Sequence, residues 1–278
     1  MIKREKKQSS PASDGLQASV TAVAGGGACA VFYARACAVK HHIFNAAALL
    51  FSKVGVYIAY FAAIPIYVHV YGQASYGIVA FLGTLIGYSV LLENGLSYAV
   101  TLRYTRALAR NETAAAERIV RAALFPYALL ALVCAVVFVL SNNQIAQLIW
   151  QKPDYAVPLQ MVGVTIAILV FDAFFVSIIQ SHNKLVALNM IRLSVDIVRA
   201  SALYIAVLTK DPLNSVTGAF LASAILKVSL DAWYCMGPLG LRRMFPFVID
   251  GAEIRANLKL APITIVITAA WLVISLFD

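Results

Sequence analysis

Charge is what this sequence has least of. Asp, Glu, Lys and Arg make up 13% of the 278 residues, while 62% are hydrophobic. A soluble domain is about half apolar and about a quarter charged, and it cannot cover this much oil with so few polar groups. Acids are scarcer than bases, 13 against 22, yet the formal net charge of +9 does not point to nucleic acid. The bases sit in a few segments between apolar runs, with no aromatic-interleaved patch. Reactive chemistry is equally thin. Cys29, Cys37, Cys134 and Cys235 form no CxxC pair and no His/Cys cluster, so disulfide and metal roles have little support. Cys134 and Cys235 lie in or at the end of apolar segments and read as small buried hydrophobes. There is no GxSxG, no HExxH and no phosphate-cradling glycine loop. No cofactor and no metal are expected. Alternating polarity, which a membrane barrel needs, is also missing.

What the sequence does have is long apolar runs. A helix needs about 20 apolar residues to cross the ~30 Å hydrocarbon core. Runs of roughly that length cover about 46–70, 76–100, 121–141, 157–181, 185–209 and 213–236, and another begins near Pro262 and continues to "WLVISLFD". These spacings predict an all-α, polytopic membrane protein with about seven transmembrane helices. Lysines and arginines orient it. The segment before the first run has Lys3, Arg4, Lys6, Lys7, Arg35 and Lys40, and the second connection has Arg103, Arg106, Arg110, Arg118 and Arg121. Lys184 lies in the fourth connection, and Arg242, Arg243, Arg255 and Lys259 in the sixth. The alternate connections hold no base, Lys152 alone and Lys210 alone. The basic segments therefore share one side, which predicts a cytoplasmic amino terminus.

Four regions follow. Residues 1–44 begin polar and basic and then turn to "GGGACAVFYARACAVK"; they are expected to be a disordered cytoplasmic tail, or translation from a start upstream of the natural one. Residues 45–238 hold the six runs. In 239–261 apolar and charged residues alternate at helical spacing, which suits an amphipathic linker helix on the cytoplasmic surface. Residues 262–278 begin a further span.

The informative residues are the charges inside the runs, because each costs about 2.5–3.5 kcal/mol on insertion scales. They are Lys53, Glu93, Asp172, Arg192, Asp196, Arg199, Lys227 and Asp231. Arg192, Asp196 and Arg199 follow i, i+4, i+7 and share one helix face, and Lys227 and Asp231 are i, i+4 neighbours. By depth, Lys53 is level with Glu93, and Asp172 with Asp196 and Lys227. The four bases and four acids balance, so mutual pairing satisfies them all. Alternatively they line a polar cavity for a hydrophilic or anionic headgroup. Eight such groups exceed what a structural bundle needs, which favours transport.

The stretch "IPIYVHVYGQASYGIVAFLGTLIGYSVLLENGLSYAVTLRYTRALAR", residues 64–110, resembles the start of polysaccharide (O-antigen type) flippases of the multidrug/oligosaccharidyl-lipid/polysaccharide exporter superfamily. Tyr71, Gly72, Tyr76, Gly77, Glu93, Gly95, Leu96, Ser97 and Arg103 carry the likeness, and Glu93 stands where members usually have an aspartate. A looser likeness extends over residues 45–278. The resemblance implies a MATE-like fold of two six-helix lobes around a central cavity, of which this chain supplies the first lobe and a seventh helix. A rocker-switch mechanism needs both lobes, so the chain is expected to be a fragment.

On that basis the expected function is a flippase moving an undecaprenyl-pyrophosphate-linked oligosaccharide across a bacterial inner membrane in O-antigen, capsule or exopolysaccharide synthesis. Lys53, Arg192, Arg199 and Lys227 are the substrate-path candidates. Glu93, Asp172, Asp196 and Asp231 are candidates for charge pairing or ion coupling. Membrane lipid and other polysaccharide-assembly proteins are the further expected partners. A cation-coupled drug exporter of the same superfamily, or a non-functional truncated product, is the alternative. An enzyme acting on lipid-linked glycans is disfavoured, since the outer connections are short and His69 stands there without a paired carboxylate.

Overall fold

The computed structural model describes residues 28–206, 209, 211–241, 250–255 and 266, with backbone alone at 28–53, 90–96 and a few other positions. The chain forms two units, Met1–Val54 and Gly55–Asp278. In the first, helical backbone is described from Ala28 onward; the packing below belongs to the second. Residues 1–27 of the expected tail, most of the linker and nearly all of the seventh run lie outside the described residues.

The fold is all-α, with no strand among the described residues. The helices are α1 (Ala28–Ala109), α2 (Thr113–Trp150), α3 (Ala156–Ser181), α4 (Leu185–Ala206) and α5 (Pro212–Met236), with a 3-10 turn at Pro153–Tyr155 before α3. α1 contains the first two apolar runs and is broken at Gly72, where φ is 82° and ψ is 163°. That backbone region is open essentially to glycine alone. The rings of Tyr67 and Tyr76 are 6.4 Å apart, although nine residues of straight helix rise about 14 Å. The chain bends sharply between them. Asn111, Gln151 and Asn183 take left-handed conformations that end α1, α2 and α3, which keeps the next three connections short.

Thr113–Trp150, Pro153–Ser181 and Leu213–Met236 are long and apolar enough to cross a membrane. α4 is of similar length but carries Arg192, Asp196 and Arg199 within two turns. Of these helices α3 is the central one. Its most apolar stretch is 78% buried, against 17% for α2 and 28% for α5. An all-round apolar helix is what an enclosed position requires. α2 by contrast presents Leu132, Leu140 and Leu148 outward, a surface suited to lipid.

Two apolar layers stack along α3. One gathers Leu159, Val162, Ile166 and Val170 with Leu82 of α1. The other gathers Ala173 through Ile179 with Val100, Tyr104, Ile119, Val120 and Tyr127, toward the arginine-rich end. Beyond the first layer, Trp150 makes edge contacts with Phe81 (5.5 Å) and Tyr155 (5.6 Å), an aromatic group of the kind that settles at a membrane boundary.

Small residues bring the helices close. Ser97 and Thr101 of α1 donate to the carbonyls of Ala173 (3.2 Å) and Ser177 (3.3 Å), and Ser181 donates back to the Thr101 carbonyl (3.4 Å). Tyr127 of α2 donates to the Ser97 hydroxyl at 3.2 Å. Such seams replace the hydrophobic drive that lipid does not provide. α2 and α3 approach tightly at Gly163, where an added Cβ would lie 2.0 Å from the Phe138 Cβ. Gly163→Ala is expected to cost about 1–3 kcal/mol by overpacking, read as a lower midpoint of thermal unfolding in detergent.

Candidate functional site

The break between the two apolar layers of α3 is filled by charge. Asp172 is wholly buried there. It lies about nine residues, roughly 14 Å of helix rise, before the end of α3, and Lys227 lies equally far from the end of α5. The Lys227 ammonium donates to Asp172 Oδ2 and sits 3.5 Å from Asp231 Oδ2, one turn further along α5. Asp231 is also wholly buried. Arg192 of α4 is near enough to act on it electrostatically. Three helices thus converge on one group of two acids and two bases. One ammonium serves two carboxylates, and neither Asp172 Oδ1 nor either oxygen of Asp231 accepts a hydrogen bond. The lysine side chain keeps 16% of its surface exposed.

α4 handles its charges differently. Arg199 donates to Asp196 at 2.6 Å, and the two side chains are 30% and 29% exposed. Arg192 is likewise half-buried and makes no direct ion pair among the described residues. α4 buries only Leu188, Val195, Ala200 and Ala206, so its row of charges is not closed over by the described lobe. Lys53 and Glu93 lie on α1, but their side chains are outside the described residues.

Sequence reasoning missed two polar contacts at the arginine-rich end. Arg103 grips Glu253, bonding its carboxylate and, through Nη1, its main-chain carbonyl at 3.3 Å. Nothing in the spacing relates two residues so far apart. Tyr104, wholly buried, has its hydroxyl 3.0 Å from His182 Nε2. Burial, then the Cys235 and Glu117 charges, pushes the tyrosine up to about 12. Burial, then the Lys184 ammonium, holds His182 below its ordinary value, which leaves a neutral ring beside a neutral phenol. The Ser97–Thr101 and Ser177–Ser181 pairs had a legible signal, small polar residues at i, i+4.

An enclosed lysine with two acids can hold helices together, and an open charged face can meet a polar ligand. Breaking the enclosed group is expected to be costly. Lys227→Met strands two carboxylates and Asp172→Asn removes the direct partner, each with a loss of about 3–5 kcal/mol. Asp172→Asn combined with Lys227→Met should unfold at a higher temperature than Lys227→Met alone, in a double-mutant cycle on detergent-solubilised protein.

A comparison with protein families matches residues 43–278 to one described as polysaccharide biosynthesis protein. No curated protein and no solved structure matches the chain. The family match covers α1 from residue 43 onward, including its break at Gly72, and the central α3 and charged α4 and α5 in full. This chain therefore belongs to the polysaccharide biosynthesis protein family, flippases of the multidrug/oligosaccharidyl-lipid/polysaccharide exporter superfamily.

Proposed function

We propose that the protein moves a lipid-linked oligosaccharide, carried on undecaprenyl pyrophosphate, from the inner to the outer leaflet of a bacterial plasma membrane. The observation that carries this reading is the half-exposed row Arg192, Asp196 and Arg199 on a helix packed among apolar neighbours. Charged groups at membrane depth face a bundle interior or a water-filled path, not lipid. A path with two arginines along one helix suits a ligand that is polar along its sugars and anionic at its pyrophosphate.

Residues 45–238 are the first lobe, and the open face of α4 is the wall of a cavity between that lobe and its counterpart. Arg192 and Arg199 contact the headgroup. Asp196 holds Arg199 in an extended pose so that the guanidinium need not be ordered on binding. Lys227, drawn inward by Asp172 and Asp231, sets the potential of the wall, with Arg192 between the enclosed group and the open row. Lys53 of the first span is a further headgroup candidate, and Glu93 of the second a candidate for charge pairing or ion coupling. In this arrangement the chain binds, shields and carries; no bond in the substrate is made or broken.

A charge-assisted contact to phosphate is worth about 1.5–3 kcal/mol. Arg199→Ala and Lys53→Ala should therefore each slow flipping about tenfold or more. The measurement uses proteoliposomes, with a fluorescent lipid-linked oligosaccharide whose outer-leaflet copies are quenched by dithionite. Retained size-exclusion profiles would separate this from unfolding. Flipping at the native rate in both variants would sink the assignment.

A further inference from the structure

The carboxylate of Glu253 occupies a place suited to a different anion. α1 finishes with Arg103 and Arg106, which at i and i+3 share one face of the helix, and Arg110 follows directly after its last residue. Arg106 and Arg110 are exposed, and neither has an acid paired with it among the described residues. Arg103 is mostly buried, at 22% exposure, and Glu253 matches it at 23%. The guanidinium takes two oxygens of one residue, the carboxylate and the main-chain carbonyl. Two oxygens on one planar fork is also how arginine holds a phosphate.

Glu253 does not belong there by helical necessity. In "DGAEIR" Asp250 is an N-cap, with its Oδ1 accepting from the amides of Ala252 (3.0 Å) and Glu253 (3.4 Å). The acid at the third helical position of such a box ordinarily turns back to the N-cap amide. Here it is aimed instead at Arg103 on another helix. Among the described residues, the helical segment 251–255 is thereby joined to the arginine row by the charge-assisted grip of Arg103 on Glu253.

We propose that Arg103, backed by Arg106 and Arg110, is a binding site for a phosphate-bearing lipid headgroup. Glu253 fills this site as an internal stand-in, and a headgroup that displaces it releases the segment 250–255. Tethering makes Glu253 an effective competitor although a monoanionic carboxylate is the weaker ligand. Two sources share the required chemistry, the pyrophosphate of a lipid-linked sugar and the phosphate of an anionic phospholipid. Only the first source rests on the flippase reading above.

The test uses the full chain in phosphatidylcholine nanodiscs with farnesyl pyrophosphate as the probe. Binding is read by thermophoresis, and opening by hydrogen exchange of the amides of residues 252–254. Arg103→Gln should weaken binding about tenfold. Glu253→Gln should tighten it about fivefold, because the site is then vacant from the start. Glu253→Asp, which keeps the charge but shortens the reach, should fall between native and Gln. In the native protein the probe should speed exchange at 252–254. If phosphatidylglycerol nanodiscs alone speed it equally, the occupant is bulk phospholipid; if only the pyrophosphate does, it is the substrate headgroup. An ordinary structural ion pair would make both Gln variants weaken binding together. That result, or exchange indifferent to both lipids, overturns the proposal. None of these readouts requires flipping, so a chain that fails to flip but shows the opposite-signed pair of effects keeps this site and loses only the flippase function.

Discussion

The Lys227 ammonium, held between the carboxylates of Asp172 and Asp231, fixes the register of α3 against α5. In hydrocarbon an unmatched charge has no solvent to fall back on, so the three groups must meet or the helices cannot stay where they are. A slip of one helix by a single turn would move the partners apart by about 5.4 Å and leave each stranded. The apolar layers above and below inherit their register from that meeting point. Val170 ends one layer and Ala173 begins the other, with Asp172 between them. Packing then sharpens an arrangement that electrostatics has already selected, and the close approach at Gly163 and the hydroxyl seam against α1 both serve the same central helix.

The lobe treats charge in two ways, and the contrast is informative. On α3 and α5 the acids are sealed from every side and share a lysine. On α4 the Asp196–Arg199 pair is satisfied along its own helix and remains about a third exposed. A pair made within one helix needs no neighbour, so it leaves that face available. A pair made between helices uses the faces it joins. The same residue types therefore give a fastener in one place and a surface in the other, and Arg192 stands where the two meet.

Much of the helical layout is visible in hydropathy. The runs at 157–181, 185–209 and 213–236 correspond to Ala156–Ser181, Leu185–Ala206 and Pro212–Met236. The run at 121–141 underestimates Thr113–Trp150, because a helix continues past its apolar part when amphipathic turns such as "TAAAERIV" can pack at the boundary. Within the site, the i, i+4 relation of Lys227 to Asp231 follows from counting, and the level of Asp172 from measuring along its run. Which acid takes the direct bond does not follow, since that depends on the rotation of α3 against α5. The grip of Arg103 on Glu253 was out of reach for the same reason in stronger form. It joins segments 150 residues apart, and no periodicity reports on such distances. Lys53 and Glu93 are conspicuous in sequence, and their side chains fall outside the described residues.

The partners at the centre of the lobe are made at different times. Asp172 and Lys227 are separated by 55 residues, and a ribosome adding about 5–20 residues per second needs some seconds to cover that interval. Through that time α3 must enter the bilayer with Asp172 lacking its lysine, carried by its apolar flanks. α4 follows with three charges of its own. Only when α5 arrives can Lys227 meet the acid on α3, which until then enters lipid more cheaply in its protonated form. Pairing of α3 with α5 is thus a closing step of biogenesis, and the helix that leaves the ribosome later is the one that retains the earlier.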